Sequence, residues 1–172
     1  MKVTNSDRMN HVYAASAVRG RWFRRAEDTW SPALFHRDAA GEVFVTGVQI
    51  PIRDTKDVAA RAIQAALQDT RSVEALLVAP AWEALVSPEV AESADITGGT
   101  GPGQGRQDFD PERHGVEVLL FVHVGTSFAR TRSAAVLRRP GSPPSLGPLS
   151  EIRGEGIEVN GLLTDAMRRG IG

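Results

Sequence analysis

The chain has 172 residues, of which 41% are hydrophobic, and its 20 basic and 21 acidic residues leave a formal net charge of −1. This balance gives no overall electrostatic attraction to nucleic acid or anionic lipid. The length fits one domain with its own hydrophobic core. The absence of cysteine excludes disulfides, thiolate nucleophiles and cysteine-ligated metal sites.

The N-terminal segment is polar and mixed. No continuous apolar run follows its basic start, and no later run reaches membrane-spanning length, so we expect a cytoplasmic protein without a signal peptide. Loose apolar spacing before Gly20 predicts a short amphipathic helix.

The next segment, RGRWFRRAE at residues 19–27, is the best local candidate for binding. Its arginines are suited to phosphate and surround two aromatic side chains that can stack on a partner. The alternative is an edge strand with its aromatics toward the core and its arginines outside. The candidate binding residues are Arg21, Trp22, Arg24 and Arg25 in this segment, and Trp82 further along the chain.

A hairpin and a helix are predicted next. LFHRDAAGEVFV has the pattern of two strands joined at Ala-Ala-Gly, and its second strand is expected to be central because both faces are apolar. RDTKDVAARAIQAALQDTR offers Asp54 or Thr55 as N-cap and apolar pairs at intervals of four. This pattern predicts a helix with one stripe against the core.

A buried strand is predicted in SVEALLVAPAW, residues 72–82, and Pro80 is expected to stop it because proline cannot donate to a sheet ladder. From 87 to 113 the chain is rich in glycine, proline and acids and poor in large apolar residues. That composition predicts a long, exposed and flexible loop.

The most apolar run, VEVLLFVHV at 116–124, predicts a second strand with Leu120 and Val122 on one face and Phe121 and His123 on the other. ARTRSAAVLRR is expected to be its antiparallel partner, PGSPPSLGP a loop, and VNGLLTDAMRRGIG a short closing helix. These elements predict a single α+β domain, with a mostly antiparallel sheet of about five strands packed against two or three helices.

A nucleophile elbow is the first catalytic alternative, because the Gly-x-Ser-x-Ala turn at Ser127 follows this strand. That arrangement needs an acid and then a histidine after the serine, whereas all four histidines precede Ser127. We therefore predict a simple turn there and a hydrogen-bonded structural role for His123.

Metal and phosphate sites are weighed next. DFDPERH, residues 108–114, spaces its carboxylates like a metal loop, but Arg113 and Leu119 stand where an EF-hand needs glycine and glutamate. GGTGPGQGR lacks the Gly-Lys-Ser/Thr ending of a phosphate-binding loop. We predict no catalytic residues, no metal site and no cofactor.

The chain contains four motifs in this order: a Pro-x-Leu-Phe hairpin, a lysine-bearing helix, a strand ending in Ala-Trp, and a Pro-x-Arg segment before an apolar strand. Over about residues 32–125 the chain resembles an uncharacterised family of small proteins from high-GC bacteria and their phages. The resemblance implies no known activity, and Pro80 stands where the family pattern has glutamate. The matching residues are Pro32, Leu34, Phe35, Lys56, Ala81, Trp82, Pro111 and Arg113.

Three functional hypotheses remain open. A small protein-interaction or assembly module without catalytic activity is favoured, binding a protein partner or a second copy through a sheet edge, with RWFRRAE and ARTRSAAVLRR as the expected edges. A small hydrolase-like enzyme is second, and His114 or His123 meeting a carboxylate in a deep pocket would identify it. Nucleic-acid binding through residues 19–25 is third, because acidic loops cancel a wider basic field. A membrane partner is not expected.

Overall fold

The computed structural model describes residues 25–26, 29–49, 56–84, 115–151 and 162–172. They form an antiparallel sheet in the order β2-β1-β3-β4-β5-β6, with β7 beside β5. The strands are β1 (Ala33–Asp38), β2 (Val43–Gly47), β3 (Ser72–Ala84), β4 (Gly115–Gly125), β5 (Phe128–Arg139), β6 (Ser142–Leu146) and β7 (Ser150–Glu151), and the helices are α1 (Lys56–Asp69) and α2 (Leu162–Gly170).

The predicted hairpin is confirmed as β1 and β2. Its turn contains Gly41, whose φ of 92° is a left-handed conformation that glycine adopts without a side-chain clash. The prediction that the second strand is central is wrong, because β2 ends the sheet and pairs only with β1 among the described residues. Phe44 and Val45, which suggested two buried faces, are exposed.

Strands β3, β4 and β5 form the middle of the sheet. The prediction that Pro80 stops β3 is wrong, since the strand continues to Ala84. Alternate residues of an antiparallel strand direct their N–H groups to opposite neighbours, and Pro80, like Val78, is turned to the side of β1. Strand β1 has ended there at Ala33, so the missing N–H interrupts no ladder in the described sheet.

PGSPPSLGP, predicted as a loop, contains strand β6. Pro140 and Gly141 form the preceding turn, and the φ of +70° at Gly141 fits a type II turn. Pro143 and Pro144 are tolerated because the register of β6 against β5 shifts where they stand, in an edge strand paired with β5 alone in the described part of the sheet.

Strand β5 confirms ARTRSAAVLRR as the antiparallel partner of β4. The prediction that it is an edge is wrong, because β6 and β7 both pair with its other side. Of the second predicted edge, RWFRRAE, only Arg25 and Ala26 are described, and they lie in a bend and turn.

Both helices pack on one face of the sheet. The predicted stripe of α1 is confirmed, with Ala59, Ile63 and Leu67 buried in a core that also contains Met167 of α2. Leu120 and Val122 of β4 face this core, whereas Phe121 belongs to a second core on the opposite face. The predicted alternation of β4 is therefore confirmed.

The described residues form one α+β domain, which confirms the predicted fold class. The sheet has seven strands instead of about five, because the proline-rich β6 and the two-residue β7 escaped prediction. None of the helices described is long and apolar enough to cross a membrane. Several predictions lie outside the described residues. They are the helix before Gly20, the N-cap candidates Asp54 and Thr55, and the loop at 87–113 with its GGTGPGQGR and DFDPERH segments.

Candidate interaction site

Strand β2 presents a row of backbone donors and acceptors on its outer side. The Val48 N–H donates to the Pro32 carbonyl at 3.1 Å, so the even-numbered residues of this strand bond to β1. The alternation of an antiparallel ladder then directs the N–H and C=O groups of Val43, Val45 and Gly47 away from β1. No strand of the described sheet lies on that side.

Apolar side chains are exposed along the same edge, where Val45 is 61% and Phe44 36% exposed. The strand sequence VFVTG contains no charge and no proline, the two residue types that most often block an edge. The opposite edge, β6, has Pro143 and Pro144, which lack N–H groups. In the described sheet β2 is therefore the unprotected edge.

A buried histidine holds β2 in place. His36 is 1% exposed, and its Nε2 lies 3.1 Å from Thr46 Oγ1 on β2. Its Nδ1 lies 2.9 Å from Ser72 Oγ and 3.1 Å from Thr70 Oγ1. The Phe44 ring stacks on the imidazole with centroids 5.4 Å apart. These contacts join β2 to the end of α1 and the start of β3.

The His36 contacts predict a pH dependence of stability. Burial lowers the pKa of His36 from its usual 6.5, whereas the unfolded chain keeps that value. Below pH 6.5 the unfolded state therefore binds a proton that the folded state does not, and we expect the free energy of unfolding to fall by up to about 1.4 kcal/mol per pH unit. Above pH 6.5 this contribution is complete.

Chemical denaturation on either side of this pH checks the prediction, with the His36→Gln variant as control. The variant lacks the imidazole, so its stability should decline less steeply on acidification than that of the wild type. Parallel curves for the two proteins would contradict the assignment to His36.

An ionic cluster of Arg37, Glu74 and His123 lies on the face of the sheet away from His36 and the helices. Glu74 Oε2 accepts from Arg37 Nε at 3.0 Å and Nη2 at 2.5 Å, and its Oε1 accepts from His123 Nε2 at 2.7 Å. Burial alone would raise the pKa of Glu74, but the hydrogen bonds and charges of His123 and Arg37 outweigh it and hold the pKa below the usual 4.5. Glu74 is therefore ionised, with both oxygens occupied.

The first residue of β5, Phe128, covers His123. Phe128 meets the imidazole edge to face at 4.9 Å between centroids, and the Arg130 guanidinium lies 5.6 Å from the Phe128 ring. A Cβ at Gly125 would overlap this ring, so glycine is required for the arrangement. The turn predicted at Ser127 is confirmed, and His123 is hydrogen-bonded as predicted.

A cleft of about 620 Å³ lies between this turn and the end of α2, lined by residues 125–129 and by Arg168, Ile171 and Gly172. His123 is absent from the described lining, and no hydrogen bond between described residues joins Ser127 to a histidine. The structure thus gives His123 a carboxylate partner, and His123 does not line this cleft. The described residues contain no group of three or more metal-ligating side chains.

The predicted binding residues are only partly described. Arg25 is exposed, and Trp82 lies in β3 opposite Glu117. Arg138 connects the two segments, because it donates to the Ala26 carbonyl at 2.6 Å and to Glu117 at 2.5 and 2.8 Å. The backbone of Arg25 and that of Trp82 therefore approach the same end of the sheet. Outside the described residues lie Arg21, Trp22, Arg24 and His114.

Comparison with known protein families, curated proteins and solved structures finds no match for this chain. The resemblance to small proteins of high-GC bacteria and their phages therefore stays a prediction.

Proposed function

We propose that this chain is a protein-interaction or assembly module that binds by adding a partner's strand to β2. The observation that carries the proposal is the outer side of β2, where Val43, Val45 and Gly47 direct backbone groups away from the sheet. In strand addition, main-chain hydrogen bonds supply affinity and alternate side chains supply specificity. A cytoplasmic location is part of the proposal.

The contacts behind β2 support this proposal. His36 anchors the strand through Thr46, and Phe44 packs on the imidazole. A strand that is already ordered loses less conformational entropy when a partner binds. The edge is thus prepared for pairing without a prior rearrangement.

The side chains of β2 indicate what a partner strand would contact. Phe44 and Thr46 share the face of the helices, whereas Val45 shares the opposite face with Phe35 of β1. Both faces of the edge are uncharged, so an apolar or β-branched partner strand fits better than a charged one.

The Val45→Pro variant tests the proposal. It removes an outward N–H, whereas the ladder to β1 uses the even-numbered residues and stays intact. Val45→Ala is the matched control, because it removes the exposed side chain and keeps the N–H. We expect proline to abolish association with protein partners and alanine to weaken it only modestly, measured by sedimentation and by quantitative affinity capture.

Thermal denaturation of both variants confirms that the fold is retained. A proline variant that binds its partner as tightly as wild type contradicts the proposal. A monomer that captures no protein but turns over a small molecule would favour the enzyme alternative instead.

A further inference from the structure

We infer that the strand added to β2 is β2 of a second copy, in an antiparallel pair whose two-fold axis passes through Val45. The inference rests on the proposed function and names its partner. It follows from the direction of the backbone groups, the length of the strand, its side-chain sizes and its lack of charge.

The backbone restricts the register. The outward groups belong to Val43, Val45 and Gly47, so outward residues must lie opposite outward residues in any hydrogen-bonded pair. A two-fold axis at Val45 places all five residues of the strand opposite residues of the second strand. An axis at Phe44 or Thr46 leaves an end of each strand without a counterpart.

Side-chain size favours the same register. With the axis at Val45, Val43 lies opposite Gly47 of the second copy, and the space where a Gly47 side chain would project is open. Phe44 then lies opposite Thr46 of the second copy, and the two Val45 residues face one another. Each larger side chain therefore meets a smaller or an equal one.

The charges permit this pairing. The strand VFVTG is uncharged, and the flanking Glu42 falls opposite Val48 of the second copy, away from the other Glu42. The net charge of −1 adds little general repulsion between copies. Because both copies use the same edge, and the prolines of β6 block the other edge, the assembly closes at a dimer.

The small area of the strand pair indicates a weak dimer. A pair of strands of 5 residues each falls in the class of small, transient interfaces, below about 1,200 Å². We therefore expect weak, reversible dimers whose fraction rises with protein concentration. Val45→Pro should weaken dimerisation about tenfold or more, because by symmetry one substitution removes two hydrogen bonds.

The register can be read by disulfide trapping, because the chain has no cysteine. Residues directly opposite in a hydrogen-bonded pair have Cα atoms about 5.5 Å apart, within the range of a disulfide. Val45→Cys should therefore cross-link to itself under mild oxidation. Val43→Cys and Gly47→Cys should each form no covalent dimer alone and should cross-link when mixed.

Val58→Cys is the control for random collision, since Val58 is 52% exposed on α1 and Val45 is 61% exposed on β2. Cross-linking between Val43→Cys and Val45→Cys, without self-linking of Val45→Cys, would overturn the register. A wild type that sediments as a monomer at every concentration would overturn the second copy as partner. The proposed function then stands if Val45→Pro still abolishes capture of another protein, and fails if capture is unchanged.

Discussion

Replacing Glu74 by glutamine is expected to lower the free energy of unfolding by about 3 kcal/mol at neutral pH. The Arg37 and Glu74 side chains are only 11% and 8% exposed, so the guanidinium would lose its counter-charge in a place where water replaces it poorly. The substitution also removes the anionic acceptor of His123. Chemical denaturation of the wild type and the Glu74→Gln variant measures the difference.

Glu117→Gln is the matched control. Its partner is also an arginine, Arg138, but the two side chains are 19% and 35% exposed, so the expected loss is below about 1 kcal/mol. Equal losses for the two variants would show that the Glu74 pair behaves as a surface pair.

The dependence of stability on pH in acid gives a second check on the role of the Glu74 charge. The lowered pKa of Glu74 contributes stability that is present above pH 4.5 and lost as the pH falls through the folded-state pKa. The difference between the wild type and Glu74→Gln should therefore shrink on acidification below pH 4.5. A difference that stays constant would mean that the charge of Glu74 is not its cause.

The ionic cluster shows where prediction from sequence ends. Glu74 stands in the apolar run SVEALLVAP, and a carboxylate in a buried strand needs a partner. That much was available from the sequence. Its partners are 37 and 49 residues away, in β1 and β4, and only the register of the three strands brings them together.

The edge of the sheet was missed for a related reason. Local patterns predicted the β1–β2 hairpin, the α1 stripe and the alternation of β4, because each depends on near neighbours in sequence. Whether a strand is central depends on how many strands pair with it, which apolar side chains on both faces do not reveal. Phe44 and Val45 suggested burial and are exposed.

The strand β6 illustrates the opposite error. Its prolines predicted a loop, because proline weakens any strand that must donate on both sides. At an edge only one side is paired, and the register with β5 shifts where Pro143 and Pro144 stand, so the two prolines fit beside β5 and leave this edge with fewer donors for further strands. The arginines that marked β5 as an edge were a poorer signal than the prolines that follow it.

His36→Ala is expected to cost about 3 kcal/mol of the free energy of unfolding. The side chain is 1% exposed, so its removal leaves a cavity under Phe44 and deprives Thr46 of its hydrogen-bond partner. Amide hydrogen exchange locates the effect, because the even-numbered residues of β2 donate to β1. We expect the protection of Phe44 and Thr46 to fall more than that of Phe121.

His36→Gln separates the hydrogen bonds from the volume of the ring. Its amide can still bond one hydroxyl, so we expect a smaller loss of stability than in His36→Ala and partial protection of the Thr46 amide. Equal loss of protection at Thr46 and Phe121 in the alanine variant would show global destabilisation and would contradict an anchoring role. Selective loss of amide protection at β2, together with weaker dimerisation in sedimentation, would show that the order of this edge depends on His36. Dimerisation weakens in that case because a frayed strand must be ordered again before it pairs.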